Sequence, residues 1–102
     1  LLDTGVYLKD VLPAGIPGTA FGMVVPRSGL ATKHGVTILN SPGIVDLDYS
    51  GKIHVNLINL GKDIVNIQAG DRIAQLVFTT AYRRSELVKD EERTAGHGST
   101  GT

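Results

Sequence analysis

Asp46 is the residue whose setting most asks for a chemical explanation. It stands between Val45 and Leu47 in a run that otherwise reads as a buried strand, and Asp48, Tyr49 and the turn residue Gly51 follow it. A carboxylate so placed suits a general base that orients a water, if it reaches the reacting centre. On residue type alone it better suits a surface Asp on an edge strand or at a bulge. Tyr49 is either an ordinary strand-end aromatic or a flat wall against a sugar ring. A wall in contact with C2′ would leave no volume for a 2′-hydroxyl. Asn40 is either a turn residue or an amide that offers a donor and an acceptor to a base edge.

A second group suits anion binding. Pro26-Arg27-Ser28-Gly29 reads as a turn, yet Arg, a hydroxyl and exposed glycine N–H groups together can hold phosphate oxygens. Gln75 lies within the apolar run Ile73-Ala74-Gln75-Leu76-Val77. An amide buried there would need partners, in the backbone or on a ligand. The segment Arg93-Thr94-Ala95-Gly96-His97-Gly98-Ser99-Thr100-Gly101 is rich in glycine and hydroxyls. It reads as a disordered end, or as an arm that closes over an anion on binding. It lacks the Gly-Lys-Ser/Thr ending of a Walker A loop. His34, His54 and His97 have no metal-ligand spacing, and Asp71 and Arg72 suit a turn and an ion pair.

Short strands must position these groups. Val6 and Leu8 alternate with Tyr7 and Lys9, an early strand. A loop spans Leu12 to Gly18, and Thr19 to Val25 is a strand that stops at Pro26. Pro26 to Ala31 reads as a turn leading into one helical turn, and Val36 to Leu39 as a short strand. The segment from Ser41 to Ile58 reads as a half-buried hairpin with Asp46 and Tyr49 near its tip. Its second arm, Lys52 to Ile58, alternates with Ile53, Val55 and Leu57 on one face. After the loop Asn59 to Asp63, strands are expected at Ile64 to Ile67 and Arg72 to Phe78, around the turn Gln68 to Asp71. Thirteen glycines and four prolines, with frequent Val and Ile, favour short strands and turns. The pattern predicts an all-β sandwich or jelly roll without a long amphipathic helix. Residues 1–90 form the expected domain, and 91–102 the flexible arm.

Composition narrows the function classes. At 102 residues, one domain is expected, and oligomerisation is a natural route to more core. Ten basic and ten acidic side chains cancel, which gives no global steering toward nucleic acid or membrane. There is no cysteine, hence neither disulfides nor a thiolate zinc site. No apolar run is long enough to span a bilayer, and the N-terminus has no signal-peptide pattern. The expectation is a soluble, cytoplasmic protein. The chain starts in what already looks like a strand and without an initiating Met, which suggests a truncated chain.

The order and spacing of the motifs carry a family resemblance. Pro26-Arg-Ser-Gly-Leu-Ala31, Asn40 with Gly43-Ile-Val-Asp-Leu-Asp-Tyr-Ser-Gly51, Gly70-Asp-Arg-Ile-Ala-Gln-Leu-Val77, and Arg93 with Gly96-His-Gly-Ser-Thr-Gly101 resemble motifs two to five of the trimeric dUTP pyrophosphatases (dUTPases). The resemblance implies a β-clip or distorted jelly roll assembled as a C3 homotrimer, with active sites between subunits. The implied reaction is hydrolysis of dUTP to dUMP and pyrophosphate by water attack at the α-phosphorus. Asp46 would orient the water. Asn40 and the hairpin backbone at Gly43 and Val45 would read uracil, and Tyr49 would exclude ribose. Arg27, Ser28, Gly29 and Gln75 would hold the phosphate chain. Arg93, Gly98, Ser99 and Thr100 would close on the γ-phosphate, and Mg2+ would ride on the triphosphate through its oxygens and water.

Three features depart from the family pattern. His97 stands where Phe is usual, although an imidazole can also stack on uracil. Arg93 is one residue closer to that ring position, with Thr94 in place of Gly. No segment matches the first motif, so the chain reads as a fragment of an active enzyme. The alternatives are a dCTP deaminase of the same fold, a non-catalytic dUTPase-like nucleotide-sensing or regulatory module, and a structural jelly roll.

Overall fold

The computed structural model describes residues 1–80 of the chain. Seven strands and one short helix follow in order: β1 (Leu2–Tyr7), β2 (Phe21–Pro26), α1 (Ser28–His34), β3 (Val36–Ile38), β4 (Gly43–Asp46), β5 (Lys52–Val55), β6 (Leu57–Asn59) and β7 (Ala74–Thr79). A single 3₁₀ turn, Leu8–Asp10, follows β1. The all-β expectation holds. Among the described residues no helix is long and apolar enough to cross a membrane.

Strand β2 is central to a three-stranded antiparallel sheet of order β4-β2-β7. Its register sets Phe21 opposite Asp46 and Thr79, Met23 opposite Ile44 and Val77, and Pro26 opposite Ala74. Successive side chains along a strand point to opposite faces. Val24, Val45, Leu76 and Phe78 therefore share the core face, with Gly22 buried among them. A Cβ on Gly22 would come within 3.2 Å of Leu76 Cδ1, so the glycine makes room for the side chains of both neighbouring strands. Ile44, Asp46, Gln75 and Val77 fall on the other, exposed face.

The expected hairpin does not form as a ladder. β4 pairs with β2, whereas β5 pairs with β1, so the residues around Tyr49 turn a corner between two sheets. Each arm has core partners of its own: Val45 and Leu47 pack against the buried cluster, to which Ile53 and Val55 belong. The arm expected at Lys52 to Ile58 likewise divides at Asn56. β5 stays with β1, and β6 joins β3. Leu39 N–H donates to the Asn56 carbonyl at 2.8 Å beside that break.

Other boundaries shift for local reasons. β1 carries an irregularity between Asp3 and Tyr7, where Gly5 adopts φ +75°, and it ends before Leu8, which turns inward as the most buried residue of the core. The turn after Pro26 continues as seven helical residues. Lys33 lies in its last turn, where a cation suits the helix dipole, and Gly35 caps it at φ +72°. The strand expected at Ile64 to Ile67 is absent, and Ile64 is 91% exposed. Apolar β-branched residues do not make a strand without a neighbour to pair with.

The buried cluster is small: Leu8, Val24, Ile38, Ile53 and Val55, with Leu12, Leu57, Ile73, Leu76 and Phe78 packed around it. Two glycines lock α1 to the loop after β6. Leu60 N–H donates to the Gly35 carbonyl at 2.8 Å, and a Cβ on Gly61 would strike the His34 carbonyl oxygen. That obstacle is backbone at a helix cap and has little freedom to yield. Gly61→Ala is expected to destabilise the fold by about 1–3 kcal/mol, as overpacking does. Urea unfolding measures this, and a midpoint equal to the parent's would contradict the close approach.

Candidate active site

The first group of site residues gathers where β2 ends and β7 begins. Arg27 leaves β2 as the N-cap of α1, and Ser28 and Gly29 begin the helix. Arg27 is half-buried, and Ser28 and Gly29 are exposed. The first N–H groups of a helix have no acceptor within it, so this turn presents donors next to Arg27 in the chain. The β2–β7 register brings in Gln75 from 49 residues away, with its Nε2 3.4 Å from the Pro26 carbonyl oxygen. Gln75 is exposed, not buried as the apolar sequence around it suggests, because alternation turns it to the outer face while Leu76 turns in. Its one described hydrogen bond is long, which leaves amide capacity for a ligand.

The second group lies along β4 and the corner after it. Asn40 precedes the cis Ser41–Pro42 peptide, and its amide covers Gly43: a Cβ there would lie 3.4 Å from Asn40 Nδ2 and 3.5 Å from Val24 Cβ. Gly43 is buried and Val45 half-buried against the core, so Val45 has only its backbone to offer a ligand. β4 is an edge strand, and its outer edge has no strand partner among the described residues. An unpaired edge presents backbone donors and acceptors in alternation. Asp46 ends β4 with its side chain exposed, the alternative that residue type alone left open. Among the described residues no side-chain hydrogen bond or ion pair engages its carboxylate. Tyr49 N–H donates to the Asp46 carbonyl at 3.0 Å, and Tyr49 Oη donates to the Lys52 carbonyl at 2.8 Å. The residue is held by its backbone N–H and by its hydroxyl, and it is 43% exposed.

The two groups do not meet within one chain. Asp46 is level with Phe21, the first residue of β2, and Arg27 follows Pro26, the last. Five residue steps of strand separate these levels, or about 17 Å. A cleft of about 730 Å³ between β1–β5 and residues 67–76 includes Gln75 but not Asn40, Asp46 or Tyr49, and its walls are mainly the apolar faces of the sheets. Asp71 and Arg72 form no ion pair with each other. Asp71 instead closes the turn, its carboxylate accepting from Gln68 N–H at 2.9 Å. His34 and His54 are exposed, and Asp3 Oδ2 lies 3.9 Å from His54 Nε2. Arg93, His97, Gly98, Ser99 and Thr100 lie outside the described residues.

The family model described as dUTPase matches residues 4–101. The chain belongs to the dUTPase family. Relatives of that family named deoxyuridine 5'-triphosphate nucleotidohydrolase share 51% identity in Treponema denticola, 45% in Neorickettsia sennetsu and 42% in Cytophaga hutchinsonii. Each comparison covers at least 99% of this chain. The chain spans about two thirds of the length of these dUTPase relatives: 69%, 68% and 65% respectively.

Two backbone carbonyls at the site, those of Lys52 and Pro26, escaped sequence reasoning, because an acceptor that every residue carries leaves no residue-type signal. Exposure and a long hydrogen bond give Gln75 little part in stability. Gln75→Ala is expected to change the unfolding free energy by about 0.5 kcal/mol or less. Urea denaturation tests this, and a loss several times larger would assign Gln75 to the fold instead of the site.

Proposed function

We propose that this chain hydrolyses dUTP to dUMP and pyrophosphate by water attack at the α-phosphorus. The observation that carries the proposal is the dUTPase match across residues 4–101, combined with an exposed Asp46 beside a pinned Tyr49. Asp46 orients the water, and an exposed carboxylate without described partners is available for that task. Asn40 and the backbone of the β4 edge around Gly43 and Val45 read uracil. Fixed donors and acceptors favour the matching base strongly, since a wrong base leaves polar groups unpaired. Tyr49 blocks the space of a 2′-hydroxyl. Arg27, Ser28, Gly29 and Gln75 hold the phosphate chain, and positioning with charge stabilisation is most of what phosphoryl chemistry requires.

Residues 1–90 serve as the domain and 91–102 as an arm that closes on the nucleotide. Arg93, Gly98, Ser99 and Thr100 meet the γ-phosphate in this reading, and His97 stacks on uracil. Mg2+ rides on triphosphate oxygens and water, where it neutralises phosphate charge. A cytoplasmic setting belongs to the same reading.

Two observations support the reading of a homotrimer with sites between subunits. About 17 Å of strand separates the level of Asp46 from Pro26, the residue before Arg27, within one chain, so one triphosphate nucleotide is better served by Asp46 of one subunit and Arg27 of another. The outer face of the β4-β2-β7 sheet also carries the row Ile44, Met23 and Val77, with Ile44 52% and Val77 40% exposed. Covering that row is a natural use of a neighbouring copy.

Asp46→Asn is expected to bind dUTP much as the parent does and to lower turnover by about a thousandfold, as loss of a general base does. Pyrophosphate release with Mg2+, with dCTP, dTTP and UTP in parallel, checks both the reaction and its base selectivity; rapid hydrolysis by the variant would remove Asp46 from the role. Arg27→Ala should also be nearly inactive. Co-refolding it with Asp46→Asn should restore activity to about a quarter of the parent's, because random cyclic assembly rebuilds intact sites from intact halves. No recovery would place both residues in one subunit's site.

A further inference from the structure

Gly51 has no conformational reason to be glycine. The described residues contain glycines with positive φ at 5, 15, 35 and 70, and Gly51 is not among them. Its φ lies outside the left-handed region that favours glycine, so φ alone does not forbid a side chain at the corner between β4 and β5. Space is what forbids one. A Cβ on Gly51 would lie 2.7 Å from Tyr49 Oη, 2.9 Å from Cζ and 3.3 Å from Cε1. Every obstacle named is the far end of the Tyr49 ring, which its hydroxyl holds against the Lys52 carbonyl at 2.8 Å. A rigid ring cannot retreat by a rotamer adjustment at its tip. It must swing as a body, and its hydrogen bond goes with it.

We infer that Gly51 is a positioning residue for sugar discrimination: its missing side chain is the seat of the Tyr49 ring, and that seat sets where the wall against a 2′-hydroxyl stands. The inference rests on the reading of Tyr49 as that wall. Gly51 acts through Tyr49 and not on the nucleotide. The Lys52 carbonyl is the second half of the device, fixing the hydroxyl end while Gly51 leaves room beneath it. Neither Gly51 nor Lys52 has a side-chain role in this arrangement.

The test compares Gly51→Ala, Tyr49→Ala and the double variant in the ratio of kcat/KM for dUTP over UTP, with thermal melts beside the kinetics. Gly51→Ala is expected to lose about tenfold or more of that ratio, the scale on which a pocket rejects an added hydroxyl, while its melt stays close to the parent's. The double variant should be no less selective than Tyr49→Ala alone, since both substitutions act through one ring. An undiminished ratio in Gly51→Ala, with the ratio lost in Tyr49→Ala, would overturn the inference and leave the sugar-wall reading standing. An undiminished ratio in Tyr49→Ala would remove the reading and the inference together. Nuclear Overhauser contacts between the Gly51 α-protons and the Tyr49 ring in the parent protein add a check that needs no variant to fold. Their presence supports the seat, and their absence would overturn it.

Discussion

Strand β2 hydrogen-bonds along both of its edges, and its register is the constraint on which the site depends. One edge holds β4 so that Asp46 stands opposite Phe21, and the other holds β7 so that Ala74 stands opposite Pro26. A slip of one residue on either side would exchange the faces of that strand, sending Asp46 or Gln75 into the core. The buried Val24, flanked by Gly43 and Leu76, makes such a slip costly. The same register that fixes each group also holds the two groups apart, at opposite ends of β2. A strand is stiff, and no local adjustment closes that distance. The proposed division of the site between subunits would thus have a cause in the geometry of one chain.

Close backbone approaches do the remaining positioning. Gly35 and Gly61 let the end of α1 meet the loop after β6, which holds the helix that begins with Ser28 and Gly29. Gly43 lies under the Asn40 amide, and Gly51 under the Tyr49 phenol. In each case the absence of a side chain sets where a neighbouring group rests. Such glycines differ from Gly5 and Gly70, around which a Cβ would meet nothing within 4 Å and whose positive φ is itself the reason for glycine.

The candidate site was drawn from residue type. The order Arg27, Asn40, Asp46, Tyr49, Gln75 is a chemical pattern, and alternation along β5 correctly turned Ile53 and Val55 inward and His54 outward. Reading was poorest where a strand changes partner. Nothing in the residues from Ser41 to Ile58 says that β4 and β5 enter different sheets, because the inward residues of both arms look alike. The apolar run around Gln75 suggested burial for the same reason: in an edge strand, Val77 can be exposed although valine is usually not.

The amino-acid sequence by itself determined the all-β class, the turns at glycine and proline, and the set of candidate side chains proposed to recognise a deoxynucleotide. These follow from local chemistry: pattern period, backbone preference and functional group. Only the tertiary structure decided which strands pair, that Gln75 lies beside Pro26, that the Lys52 carbonyl holds the Tyr49 hydroxyl, and that Asp46 and Arg27 stand far apart. Those facts depend on contacts between segments distant in the chain, whose relative placement is set by packing of the whole core and is written in no single stretch of it.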